Sequence, residues 1–542
     1  MKNYLEKIFN EASQQLKYLS DVELIFEIPK TISHGDFSCN VAMMLTKKLN
    51  KNPRLIAEEI ISNLKYDEDI VQKIEIAGPG FINFLFTPSF IAKVIENILT
   101  KKENYGRTDK HKGKKANVEF VSANPTGPLT VGHGRNAVIG DTVVNMLEAI
   151  GYEVEREYYF NNAGRQMRVL GDSVKQRYLQ LLGDKIDFPE DYYQGEYIKE
   201  IAAEMVKEFG NSLRNEKPEG KFKEKAEQAI FNDIKKSLKL LGMEFDIFSN
   251  ENSLFEEGKI EALLNAFNER NLSYKKDDAI WLKFTELGGE QDKVIVKSTG
   301  EPTYRLPDIA YHITKFDRGY DLMVDIFGSD HAAAYPDVLA GLQALGYDAD
   351  KVKVIIYQFV TIMEDGEVVK MSTRKANYVT LDELVEEVGS DVVRYFFNMR
   401  NTSSHMNFDL TLAKKHSDEN PVFYLQYAHA RICSILRTVI EEKIVSSVKN
   451  LDLLVKDEEQ QLLKKLNRYE EEILYASENF EPHKVCTYLE ELAAAFHKFY
   501  TFCRILGSEK KLAEARLALA EATKIVLQNG LGILGVTAPD RM

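Results

Sequence analysis

Several things are scarce in this chain of 542 residues, and each scarcity closes off a class of protein. There are four cysteines, Cys39, Cys433, Cys486 and Cys503, and no Cys-x-x-Cys pair among them. That is too few for a disulfide framework. No apolar run approaches the ~20 residues that a membrane helix needs. The opening Met1-Lys2-Asn3-Tyr4-Leu5-Glu6 starts an amphipathic helix rather than the apolar stretch of a signal peptide. Internal repeats and low-complexity tracts are absent. Positive charge is also short: the formal net charge is −14. That argues against a protein that coats nucleic acid non-specifically, because affinity for phosphate backbones comes from clustered Lys and Arg. The cytoplasm is the economical location for such a chain.

Hydrophobic residues make up 44% and charged residues 28%, the composition of a soluble globular protein. The length suggests about three domains at roughly 150 residues each. Residues 1–108 read as a compact α+β unit. Leu5, Phe9, Ala12 and Leu16 share one helical face. Asn52-Pro53 reads as an N-cap with proline at the first helical position, opening a helix that buries Leu55, Ile56, Ile60 and Leu64. The turn-rich stretches Ser33-His34-Gly35-Asp36-Phe37 and Ala77-Gly78-Pro79-Gly80-Phe81-Ile82-Asn83 are ordinary turns when read alone. A local basic excess from Lys101 to Lys115, either a solvated linker or a basic surface, marks the first boundary.

Residues 109–414 alternate strand and helix. The stretch from Val118 to Arg135 begins like a strand, passes through Pro125, Gly127 and Pro128, and runs into a helical pattern carrying Val138, Ile139, Val143, Met146 and Leu147. A strand, a rigid turn and a helix N-terminus frame an anion well. Further strands are expected over Glu153–Phe160, Asp321–Phe327 (ending in Gly328-Ser329-Asp330-His331) and Lys353–Val360. The expected fold class is α/β: a doubly wound, Rossmann-type parallel sheet that binds ligands at its strand C-termini. A helical, charged insertion is expected at about 170–280, punctuated by Tyr192-Tyr193-Gln194-Gly195-Glu196-Tyr197. Residues 415–542 read as an all-α helical bundle, with faces such as Tyr424, Tyr427, Ala428, Arg431, Ile432 and Ile435.

Two short motifs carry chemistry. Gly132-His133 sits at the turn, where a histidine and a helix N-terminus can both donate to a phosphate. Lys370-Met371-Ser372-Thr373-Arg374-Lys375 follows the last strand and the acidic turn Glu364-Asp365-Gly366-Glu367. A loop bearing Lys, Ser and Arg suits a step in which pyrophosphate leaves. Alone, the first is a turn with a surface histidine and the second a solvated loop. At the two ends of one α/β region they form a joint signal.

The pair resembles the HIGH and KMSKS signatures of class I aminoacyl-tRNA synthetases. The wording from Ser122 to Gly134, the stretches Tyr304–Ala310 and Asn420–Arg431, the terminal Asp540-Arg541-Met542, and the N-terminal Gly35-Asp36-Phe37 and Gly78–Asn83 resemble the arginyl-tRNA synthetase family in particular. The resemblance implies that L-arginine is activated with ATP and passed to the 3′-terminal ribose of tRNA(Arg). It implies catalytic roles for Thr130, His133, Lys370, Ser372 and Arg374. It assigns ATP contacts to Pro128, Gly132, His133, Gly134, Lys370 and Met371. Glu119, Tyr304 and Asp308 would face the guanidinium, with Asn124 and His331 near the α-amino group. Magnesium would come with ATP and need no dedicated protein cage, no tightly bound cofactor is implied, and a monomer is expected. By the same resemblance the N-terminal domain would reach the outer corner of the tRNA and the C-terminal domain would bind the anticodon stem. Two departures stand out. Thr130 replaces the first histidine of HIGH, and KMSKS reads KMSTR, which leaves the role of its second lysine to Arg374 or Lys375. A different class I synthetase and a non-catalytic RNA-binding relative are the alternative readings, and a charging assay separates them.

Overall fold

A computed structural model describes residues 1–27, 29, 34–369 and 379–542. Lys370, Met371, Ser372, Arg374 and Lys375 lie outside the described residues, as does Ser33. In the first domain the helix Lys2–Ser13 turns Leu5, Ile8, Phe9 and Ala12 inward. They meet a four-stranded antiparallel sheet made of β1 (Phe26–Glu27), β2 (Phe37–Cys39), β3 (Val71–Ala77) and β4 (Phe81–Phe86), in the order β1-β2-β4-β3. Phe9 packs edge-on against Phe26 and Phe84, with ring centroids 5.3 and 6.0 Å away. Asn52 caps the helix Pro53–Asn63 by accepting the Arg54 N–H. Leu55, expected inside, is 50% exposed, and Ala57 takes its place on the buried face with Ile56 and Ile60.

The basic segment after this domain is anchored. Tyr105 stacks on Tyr469 at 5.8 Å and donates to the Leu466 carbonyl, while Lys101 and Lys110 pair with Glu470 and Glu478 of the C-terminal domain.

The central sheet begins with β5 (Lys115–Glu119), β6 (Glu153–Phe160) and β7 (Ile247–Asn250). After them, β8 (Ser273–Lys276), β9 (Ala279–Leu282) and β10 (Lys293–Val296) form a small antiparallel sheet of their own. β11 (Leu322–Gly328) and β12 (Val352–Tyr357) complete a five-stranded parallel sheet ordered β12-β11-β5-β6-β7. Chain order runs outward in both directions from β5, so the switch point lies between β5 and β11, where doubly wound sheets bind ligands. Both faces of β11 are covered, and Leu322, Met323, Val324, Asp325 and Ile326 are all buried.

The stretch expected to be a helical insertion holds the helices Gly164–Leu181, Glu196–Phe209 and Lys223–Leu240, and then β7. Because β7 pairs in parallel with β6, this stretch is in part a crossover of the sheet itself. Four residues at a sheet edge, amid charged helices, are too short to show a strand period.

A second three-stranded sheet follows, with β13 (Val360–Glu364) between β14 (Glu367–Val368) and β15 (Met406–Asp409). The last domain packs the helices Pro421–Glu441, Asp457–Asn479, Pro482–Phe502 and Lys510–Ile533. It joins the domain of the parallel sheet through buried Arg394 on the helix Ser390–Asn398. The Arg394 guanidinium donates to the Leu534 carbonyl at 2.9 Å, the Leu241 carbonyl at 2.7 Å and Asp141 Oδ2 at 2.5 Å.

Candidate active site

β5 delivers Glu119 to the switch point, and the chain then turns sharply. Val121 and Ser122 adopt φ values of 66° and 43°. That region is strained for a β-branched residue. Buried Asn136 holds the turn: its Oδ1 accepts the Val121 N–H at 2.6 Å and its Nδ2 donates to the Ile326 carbonyl at 2.9 Å. One side chain on the helix Val131–Ala149 thus ties the end of β5 to the end of β11. Farther along the turn, the Ala123 and Thr126 carbonyls accept from the hydroxyls of Tyr158 and Tyr197 at 2.8 and 2.7 Å.

Thr130 is the N-cap of that helix, in an extended conformation. Its Oγ1 accepts the His133 N–H at 3.4 Å, and His133 Nδ1 accepts the Thr130 N–H at 3.1 Å, a reciprocal capping box. An amide can only donate, so Nδ1 is unprotonated and the neutral ring carries its proton on Nε2. Burial lowers the His133 pKa and favours that neutral form. The residue that departs from the signature therefore orients the histidine that keeps it. Gly134 lies against the helix Leu381–Val388, where a Cβ would come within 2.5 Å of Leu381 Cδ1.

A cavity of about 470 Å³ opens at the switch point, and Glu119, Asn124, His133, Tyr304, Asp308 and His331 all line it. Pro128, Thr130, Gly132 and Gly134 form the turn beside it. Tyr304 is 56% exposed and lies under the Arg305 guanidinium, 4.7 Å from its ring centroid. His331 is also exposed and stacks on Phe327. Asn124 Oδ1 accepts the Asn161 N–H at 2.9 Å, and its Nδ2 donates to Gln166.

The floor is a charged network that sequence reasoning missed. Lys315 is fully buried and donates to Glu119 Oε2 at 2.7 Å and Asp325 Oδ1 at 2.6 Å. His312 bridges Asp325 Oδ2 at 2.8 Å and the Asp308 carbonyl at 2.7 Å. Both of those neighbours only accept, so both ring nitrogens donate and the imidazolium is favoured. Burial opposes that charge, but Asp325 outweighs it and raises the His312 pKa. Burial would likewise raise Asp325, yet Lys315 and His312 hold it well below the carboxylate range.

Asp308 has no such partner. Burial pushes its pKa up to about 7; the nearby His312 opposes the rise, and the charges of Glu119 and Glu251 add to it. Glu251 follows β7 directly, lines the same cavity, and accepts from Tyr159 Oη at 3.1 Å and Asn161 Nδ2 at 2.7 Å. Of the carboxylates that line the cavity, Glu119 and Asp325 share Lys315 and Asp330 lies 3.6 Å from His331, while Asp308 and Glu251 form no ion pair among the described residues. Glu119, expected to face a guanidinium, already holds a cation.

Elsewhere among the described residues, one cluster has metal-ligand chemistry: His429, Cys433 and Asp540. Within it Cys433 Sγ donates to Asp540 Oδ1 at 3.1 Å and His429 Nδ1 donates to the Pro539 carbonyl at 2.9 Å, while His429 Nε2 is buried without a partner. No helix among the described residues is long and apolar enough to cross a membrane.

Three family models match in series. They are the arginyl tRNA synthetase N terminal domain over residues 3–86, the catalytic domain of tRNA synthetases class I (R) over 94–410, and the DALR anticodon binding domain over 425–542. The chain is 48% identical over 563 residues to an arginine–tRNA ligase of Salinibacter ruber, with 100% of each chain covered. It is 49% identical over 521 residues to that of Desulfotalea psychrophila, covering 95% of this chain and 94% of the other. Among solved structures, the Thermus thermophilus arginyl-tRNA synthetase superposes with a TM-score of 0.79 at 21% identity, covering 100% of each chain. The Plasmodium falciparum arginyl-tRNA synthetase gives 0.72 at 19% identity, covering 99% of this chain and 98% of the other. Those two likenesses speak for the fold, while the sequence relatives and domain models carry the family. With a Rossmann-type sheet, a capped histidine at its switch point and all three domains matched in order, the chain belongs to the arginyl-tRNA synthetases of class I.

Proposed function

We propose that this chain joins L-arginine to ATP as arginyl-adenylate, releasing pyrophosphate, and then passes the arginyl group to the 3′-terminal ribose of tRNA(Arg). The observation that carries the reading is the cavity itself, lined by a neutral histidine at a helix N-terminus and by Asp308 and Glu251, two carboxylates that form no ion pair among the described residues. A guanidinium fork needs planar acceptors, which Asp308 and Glu251 supply. Glu119 takes a supporting part, fixing Lys315 beneath them. Tyr304 closes over the guanidinium. Asn124 still has a lone pair on Oδ1 for the α-amino group, and His331 stands on the same wall.

The attacking group is arginine's own carboxylate, which forms a bond to the α-phosphorus as the bond to pyrophosphate breaks. Catalysis is then positioning and electrostatic stabilisation, with no protein nucleophile. His133 donates from Nε2 to the phosphates, assisted by the backbone around Pro128, Gly132 and Gly134. Lys370, with Met371, Ser372 and Arg374 or Lys375, serves the leaving pyrophosphate. Magnesium travels with the nucleotide. The cavity's carboxylates are committed to Lys315 and His312 or suited to the guanidinium, so they do not form a set open to a metal ion.

Residues 1–108, 109–414 and 415–542 act as N-terminal, catalytic and anticodon-binding domains of a cytoplasmic monomer. A second cavity of about 700 Å³ in the helical domain is lined by Tyr427, Arg431, His497, Tyr500 and Arg504. Rings and guanidinium groups are the surfaces on which unpaired RNA bases stack. The decisive test is a charging assay with each amino acid in turn and a total tRNA pool. Only arginine should be attached, and attachment of another amino acid, or of none, overturns the reading.

A further inference from the structure

Among the described residues, three arginines are almost wholly buried: Arg135, Arg394 and Arg516. Arg394 is neutralised by Asp141 and Arg516 by Glu459. Arg135 has no carboxylate. Its Nη1 donates to the Gln358 carbonyl at 2.5 Å and the Ser404 carbonyl at 3.2 Å, and its Nη2 donates to the carbonyls of Asn401 and Ser404 at 3.2 and 3.3 Å. Its Nε has no partner. Burial lowers its pKa to about 10, so the group stays charged at neutral pH. An unpaired buried charge is expensive, and an apolar side chain would pack there more cheaply. Such a residue calls for an explanation other than stability.

The carbonyls it gathers supply one. Gln358 connects β12 to β13, and Asn401 and Ser404 lie in the connection leading to β15. The two connections are also bonded to each other, the Gln358 N–H donating to Thr402 at 3.0 Å and the Met406 N–H to Phe359 at 3.3 Å. β13 pairs in parallel with β15 and antiparallel with β14, whose last residue, Val368, shortly precedes Lys370. Arg135 follows His133 by two positions and so faces the opposite side of the same helix. His133 points into the cavity, and Arg135 holds the strands from which the second signature departs.

We infer that Arg135 is a positioning residue for adenylate formation: its fork fixes the connections into β13 and β15 against the helix that begins at His133, and so steadies the described framework that leads along the chain to the second signature. The guanidinium makes four hydrogen bonds to these carbonyls from two nitrogens held apart in one plane, whereas a lysine ammonium offers three donors from a single atom. The inference rests on the assignment of Lys370 to the pyrophosphate.

The test is a double-mutant cycle in the full-length enzyme, combining R135Q with K370A and measuring arginylation rates, KM for arginine and thermal stability. R135Q should lower kcat by about tenfold or more, since small misplacements of reacting groups carry such costs, with KM for arginine changed less than about twofold. In the K370A background the same substitution should cost less than about threefold, because the group it positions is gone. R135K, which keeps the charge without the fork, should behave like R135Q and serves in its place should R135Q fail to fold. An undiminished kcat in R135Q or R135K overturns the inference. So does an equal loss in both backgrounds, which marks general structural damage. A K370A enzyme with full activity would instead overturn the assignment of Lys370, so the two failures are distinguishable.

Discussion

Thr130 and His133 hold each other in both directions: the threonine hydroxyl takes the histidine amide, and the histidine ring takes the threonine amide. Thr130→Ala should therefore cost about 1 kcal/mol of stability, the usual value of an N-cap, and should lower kcat by loosening the ring. Thr130→Ser keeps the hydroxyl and should preserve both. Thermal denaturation and initial charging rates read the two effects. An alanine variant with unchanged melting temperature and rate would dismiss the cap as the reason for this residue.

His133→Ala removes the Nε2 donor and Lys370→Ala removes a cation expected at the leaving group. Each should reduce arginylation by about 10²–10³, as loss of one transition-state donor does. Circular dichroism should show the fold intact. Near wild-type charging by both variants would refute the site assignment.

Asp308 gives the site a pH dependence with a definite sign. Its pKa is raised to about 7, so it is ionised above that pH and protonated below it. A guanidinium binds the ionised form, so KM for arginine should climb as pH falls through 7, approaching about tenfold per unit. KM for ATP should be less affected. Asp308→Asn should raise KM for arginine most above pH 7, where the wild-type carboxylate is ionised, and should flatten the dependence. Equal shifts for both substrates would remove Asp308 from the arginine site.

Glu119 and Glu251 can be told apart by what fails. Glu251→Gln should raise KM for arginine by at least tenfold, taking a lost charge-assisted bond as about 1.5–3 kcal/mol, and should leave the melting temperature nearly unchanged. Glu119→Gln strips Lys315 of one of its two acids and should destabilise the fold by about 3 kcal/mol or more. The reverse pattern in urea denaturation and steady-state kinetics would return Glu119 to the guanidinium.

The first signature was legible because glycine, proline and histidine at fixed spacing have few structural uses. The alternation of β-branched runs with helical periods announced the parallel sheet. Glu251 was hidden in a charged stretch rich in acids, behind a strand of four residues. A lysine near a helix end has no distinguishing sequence mark of its own, yet Asp308, His312 and Lys315 fall at i, i+4 and i+7, one stripe of a single helix. Three ionisable groups on the stripe that faces the sheet was the available signal. The turn at Val121 gave no warning, because nothing in a valine codes for positive φ.

Arg394 has a bearing on how the protein can be dissected. Its guanidinium closes simultaneously on the helix Val131–Ala149, the end of the helix Lys223–Leu240 and the end of the final helix. A catalytic fragment cut at residue 414 would keep the arginine and Asp141 but lose the Leu534 carbonyl, opening a buried donor to water beside the helix that carries His133. The boundaries that composition draws along the chain are thus not seams in the folded molecule. Limited proteolysis and fragment expression should treat the catalytic and helical domains as one cooperative piece.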